Sequence, residues 1–198
     1  VHIDYQTSKS PEWLRIAENF QNTGTYMWKV PDSIDGQTQI RITDAADSKV
    51  AGDSSAFSII GGLRLLNPRG GEQWTAGTRR KIAWQTVGSI PTVDVEYKSG
   101  LDDKWQTLEK ALTNIGETIW EVPASITGPV TVRVLDAHDS SVQAMHASAS
   151  SIIPGFHLRA PNGGENWKIG TEQNITWDTT GDAPQVKIEY SKDGFKND

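Results

Sequence analysis

Few groups in this chain have the type and spacing that chemistry needs. The four histidines, His2, His138, His146 and His157, show no ligand spacing such as His-x-x-x-His, which argues against a zinc site or a histidine base. The chain has no cysteine, so disulfides, thiolate metal sites and cysteine nucleophiles are excluded. No Gly-x-Ser-x-Gly elbow or Walker loop is present. The Gly-Gly pairs at 70–71 and 163–164 lack a following helix and lysine, which argues against phosphate binding. Carboxylates offer more. Asp44 with Asp47, and Asp136 with Asp139, end predicted strands, where calcium would take carboxylate oxygens. No Asp-x-Asp-x-Asp-Gly loop accompanies them, so the preferred expectation is that each Asp opens a solvent-facing Asx turn. Glu72 and Glu165 each follow Gly-Gly; they are expected to pair with an Arg or to receive backbone N–H groups, because a catalytic carboxylate needs a partner that the sequence does not offer. No enzymatic activity, cofactor or metal is therefore expected.

The elements that position these residues are repeated. Pro68-Arg69-Gly70-Gly71-Glu72-Gln73-Trp74 recurs about 93 residues later as Pro161-Asn162-Gly163-Gly164-Glu165-Asn166-Trp167. Gly77, Ile82, Trp84 and Val93–Tyr97 recur in step as Gly170, Ile175, Trp177 and Val186–Tyr190. The N-terminal stretch matches the middle at about 92 residues: Val1–Tyr5 onto Val93–Tyr97, Trp13 onto Trp105, Trp28 onto Trp120, and Ile40-Arg41-Ile42 onto Val132-Arg133-Val134. Residues 1–60 thus read as the C-terminal half of one repeat, 61–153 as a complete repeat, and 154–198 as the N-terminal half of another. The joints, Gly61-Gly62 and Pro154-Gly155, are too short for floppy linkers, so neighbouring units are expected in a restricted orientation. The chain begins with Val and reads as an excerpt of a longer array, whose missing strands would come from the continuing chain or from a neighbouring molecule.

Apolar residues alternate in Lys81–Gln85, Val93–Tyr97, Val130–Val134 and Tyr26–Val30, which is the period of half-buried antiparallel strands. Turn signals every 8–12 residues or so, among them Gly88–Pro91, Ser99–Asp103 and Asp136–Ser141, predict a sandwich of roughly seven strands per unit. Leu108–Leu112 is a short helical candidate. All eight tryptophans fall on repeat-equivalent positions. Trp28, Trp120, Trp84 and Trp177 are expected in cores. Trp74, Trp167, Trp13 and Trp105 flank loops and are candidates for stacking on sugar rings as well as for packing.

These motifs resemble the immunoglobulin-like domain of the yeast cell-wall synthesis and Ser-Thr-rich, GPI-anchored family. Its pattern is a Pro-Asn-Gly-Gly-Glu-x-Trp opening, Ile-Thr-Trp, Val-x-Ile-x-Tyr-Ser-x-Asp-Gly, and Ile-Arg-Val-x-Asp. The third copy matches best, through Pro161–Trp167, Ile175–Trp177 and Tyr190–Gly194. The resemblance implies tandem all-β, immunoglobulin-like antiparallel β-sandwich repeats of a bacterial surface or secreted protein. The expected role is a non-enzymatic extracellular scaffold such as a stalk, sheath, filament or adhesin. A carbohydrate-binding or accessory module of a large secreted enzyme is the alternative. The expected partners are neighbouring repeats, copies of the same protein, or cell-wall polysaccharide. A net charge of −6 without a basic cluster argues against nucleic acid. No apolar run approaches the roughly 20 residues that span a bilayer.

Overall fold

The computed structural model describes residues 1–100, 104–192 and 194. The N-terminal segment holds β1 (His2–Thr7), β2 (Ser10–Ala17), β3 (Asp35–Thr43), β4 (Ala51–Asp53) and β5 (Phe57–Ile59). The middle unit holds β6 (Gly62–Asn67), β7 (Gln73–Thr75), β8 (Arg79–Val87), β9 (Thr92–Ser99), β10 (Gln106–Thr113), β11 (Glu117–Glu121), β12 (Gly128–Asp136), β13 (Gln143–Met145) and β14 (Ser150–Ile153). The C-terminal segment holds β15 (Gly155–Ala160) and β16 (Thr176–Thr180). No helix is long and apolar enough to cross a membrane among the described residues.

The middle unit is an immunoglobulin-like sandwich. One sheet runs β11-β8-β6; the other runs β10-β9-β12-β14-β7, with β13 also on β12. All pairings are antiparallel except β7 with β14. The period-two pattern explains the core directly. Ile82 and Trp84 face inward from one sheet, and Val93, Val95, Val130, Val132 and Val134 from the other. Trp120 closes the space between them, edge-on to Trp74 at 5.8 Å and tilted on Tyr97 at 4.8 Å. The first and last strands of the repeat are each broken in two. That is why nine strand segments stand where roughly seven are predicted.

The end segments are the two halves of this plan. In the first, β2-β1-β3 with β4 and β5 on β3 repeats the order β10-β9-β12 with β13 and β14. In the last, β15-β16 repeats β6-β8. No ladder joins the two end segments among the described residues.

Three local expectations change. Tyr26–Val30 forms no strand, because its counterpart β11 pairs only with β8 and residues 1–60 hold no equivalent of β8. Val186–Tyr190 likewise lies outside any ladder. The helical candidate Leu108–Leu112 lies within β10. The strand bulges there, and Ala111, at φ 48°, donates its N–H to Asp94 at 2.7 Å. Leu101–Asp103 of the predicted hairpin, and Asp193 of the Ser191–Gly194 turn, lie outside the described residues.

Trp120 joins both sheets, so Trp120→Ala should lower unfolding stability by about 3–5 kcal/mol. Trp167 is 44% exposed, and Trp167→Ala should change stability by about 0.5 kcal/mol or less. Denaturant unfolding of the two variants followed by circular dichroism tests the contrast.

Candidate functional site at the joints between repeats

The candidate acids are occupied by their own turns. Glu72 accepts the N–H groups of Arg69 at 2.6 Å and Gly70 at 2.9 Å, and the Ser150 hydroxyl at 2.8 Å. Burial pushes its carboxyl up, but these hydrogen bonds outweigh burial and hold it below the usual range. Glu165 repeats the arrangement on Asn162 and Gly163, at 2.7 and 2.8 Å, and is held down by the same backbone donors. Of the two expected partners, backbone N–H groups are the ones found.

Asp44 accepts from the amides of Ala46 and Asp47, and Asp136 from that of His138. Asp47 and Asp139 accept from Lys49 and Ser141. The two loops close with the same backbone bonds, Val50 to Asp47 and Val142 to Asp139, each at 3.0 Å. Each pair is thus engaged in Asx turns, but Asp44 and Asp47 face solvent as expected whereas Asp136 is buried at the end of β12; no cluster of three or more metal-ligating side chains occurs among the described residues. The histidines lie on separate elements: His2 accepts the Asn19 N–H, His138 sits 3.6 Å from Asp136, His146 ends the β13 region and His157 lies in β15.

For Trp74 the structure replaces a stacking role with a core role. The ring is 4% exposed and packed on Trp120, so no sugar reaches its face. Trp167, its counterpart, is exposed. Trp13 carries the Arg41 guanidinium 4.3 Å above its ring, and Trp105 carries that of Arg133 at 4.1 Å. These arginines are themselves fixed: Arg41 on Asp53 by two bonds of 2.7 Å, and Arg133 on Glu96 at 2.7 Å. One face of each of these rings is therefore taken by a cation.

At the joints expected at Gly61-Gly62 and Pro154-Gly155 the structure adds the contacts that close them. At the first, Asp32 accepts both the N–H of Ser89, at 2.8 Å, and its hydroxyl. These bonds, the hydroxyl first, hold the Asp32 carboxyl below its usual range. A Cβ on Gly61 would come within 2.8 Å of Ile90 and 3.1 Å of Ile34, so the two units touch through these isoleucines. At the second joint, Gly181 donates its N–H to the Ala124 carbonyl at 2.7 Å. Its φ is +83°, and a Cβ there would lie 2.8 Å from Thr127 and 3.2 Å from both Ala76 and Pro154. Glycine is required on both counts.

The joints use equivalent positions. Gly62 corresponds to Gly155, Gly88 to Gly181, Asp32 to Ala124 and Ile34 to Ile126. Only the repeated glycines and the turn at Gly88–Pro91 signal them in the sequence.

The Glu72 turn has a pH signature. Its folded value lies below the unfolded one of about 4.3, so its stabilisation is complete above that pH and is lost as pH falls through the folded value. Glu72→Gln should cost about 2 kcal/mol at neutral pH. The difference from the parent protein should shrink steadily in acid. Urea unfolding at a series of pH values measures it.

No family model matches the chain, and no curated protein matches it. Among solved structures it is similar to the fibronectin(III)-like modules of CbhA from Clostridium thermocellum, with 10% identity, a TM-score of 0.31, and coverage of 76% of this chain and 76% of that chain.

Proposed function

We propose that this chain is part of a non-enzymatic scaffold outside the cell, in which sandwiches couple end to end into a stiff rod serving as a stalk, sheath, filament or adhesin shaft. One observation carries this reading: both joints are built at the same positions of the repeat, by direct contact and hydrogen bonds rather than by a linker. The first crosses at Gly61-Gly62 and the second at Pro154-Gly155. Neither leaves slack for independent tumbling. The motif resemblance to tandem surface domains supports the extracellular setting, and neighbouring repeats are the primary partners.

Sugar binding is less favoured. Of its four candidate rings, Trp13 and Trp105 each carry an arginine and Trp74 is buried, which leaves Trp167, 44% exposed, as the accessible one.

Spin labels on β1 and on β9 should give a single narrow distance population by pulsed electron resonance. Asp32→Ala with Ile34→Ala, which removes the first joint's clamp, should broaden it while the middle unit keeps its unfolding midpoint. A broad distribution in the parent protein would end the rod reading.

A further inference from the structure

We infer that side chains at the joints decide which repeat can follow which: the end of a unit that presents Asp32 accepts a following unit with serine opposite it, as at Ser89, and rejects one with aspartate there, as at Asp182. The inference rests on the rod reading and adds the rule by which neighbours are matched.

The backbone path is common to both joints. Val30-Pro31 recurs as Val122-Pro123, Ser33 as Ser125, Ile34 as Ile126, and Gly88 and Pro91 as Gly181 and Pro184. Gly88 and Gly181 share a positive φ, and both lie against the crossing chain. A Cβ on Gly88 would stand 3.5 Å from the Cα of Gly61, and one on Gly181 would stand 3.2 Å from the Cα of Pro154. Within this constant frame four positions change together. They are Asp32, Gly61, Ser89 and Ile90 at the first joint, and Ala124, Pro154, Asp182 and Ala183 at the second.

The changes offset one another. The first is in charge. Asp32 accepts the N–H of Ser89 at 2.8 Å and its hydroxyl as well. At the second joint aspartate takes the place of the serine, and alanine takes the place of Asp32. Each pair of positions thus holds one carboxylate, on opposite sides of the two joints. The second change is in volume. Ile90 is buried, and a Cβ on Gly61 would come within 2.8 Å of it. At the second joint the crossing residue is the bulkier Pro154, and the loop residue shrinks to Ala183.

Exchanging partners would undo the match. Asp32 opposite an aspartate loses the hydroxyl donor and brings two carboxylates to hydrogen-bond distance, where like charges repel. Ala124 opposite a serine lacks the clamp but repels nothing. Discrimination therefore comes from the unfavourable pair more than from the favourable one.

Asp32, Ser89, Ala124 and Asp182 are all exposed, so substitutions there spare the core. Pulsed electron resonance on the full chain reads the rule, with spin labels on β1 and β9 for the first joint and on β9 and β15 for the second. Ser89→Asp should raise the population of open joints about tenfold. Roughly 1 M salt, which cuts the screening length to about 3 Å, should reverse most of that gain. Adding Asp32→Ala to Ser89→Asp, with Ile34 kept, recreates the second joint's pairing and should return the narrow distance at low salt. At the second joint Ala124→Asp should open the contact, and Asp182→Ser added to it should close it again through an Asp–Ser clamp. The middle unit's unfolding midpoint should stay the same throughout. Single variants as narrow as the parent protein, or double variants as open as the single ones, overturn the inference. Narrow distances in the parent would then leave the rod reading standing, whereas a broad distribution in the parent ends both.

Discussion

Burying Ile82 and Trp84 requires a second sheet facing them at about 10 Å, and the residues of that sheet lie later in the same repeat. Neither half of a repeat holds a closed core. The front half supplies β6 and β8, and the back half supplies β10, β9, β12 and β14. The middle unit has both, and its inward residues are buried. The end segments have one each, and several of the same positions, among them Ile42, Leu158, Ile175 and Ile188, are exposed there. The contrast isolates the cause. Sequence pattern makes the strands, but packing between sheets makes the core, and the loss of β11-like pairing at Tyr26–Val30 shows that even a strand needs its partner to appear.

The joints extend this constraint from one unit to the next. Each occurs where a strand of one sandwich runs directly into the next, and each is closed by the loops flanking that crossing. Gly181 sits at φ +83° against Pro154, and Gly88 at φ +81° has its missing Cβ 3.5 Å from Gly61. Backbone approaches backbone only because no side chain intervenes. The first joint adds the Asp32–Ser89 clamp, and the second substitutes a backbone bond from Gly181 to Ala124. Side-chain identity changes between joints while position does not, so the orientation of neighbours is set by the backbone path.

The sheets and the inward Trp84 and Trp120 were legible because alternation is a local signal, whereas Trp28 and Trp177, expected in cores, are only half-buried. Ile82 with Trp84, and Val93 with Val95, needed no partner to be assigned to one face. Trp74 was ambiguous for the opposite reason. It follows a turn, and its burial depends on Trp120, which lies far along the chain. The bulge at Ala111 was hidden because Asp94, which receives its N–H, sits on a neighbouring strand. The Asp32–Ser89 contact spans two repeats, and since neither residue is kept at the equivalent position of the second joint, self-similarity could not reveal it.

The carboxylates give the last step. Asp32, Asp35, Asp44, Asp53, Glu72, Asp94, Asp139 and Glu165 are all held below their usual range by hydrogen bonds from Ser, Arg, Lys or backbone N–H groups. A general acid at neutral pH needs the reverse, a carboxyl held above its usual range so that it keeps its proton. Where burial acts most strongly, at Glu72 and Asp94, donors from the chain itself overcome it. These groups act as fixed anionic acceptors that gather the N–H donors of turns, bulges and joints.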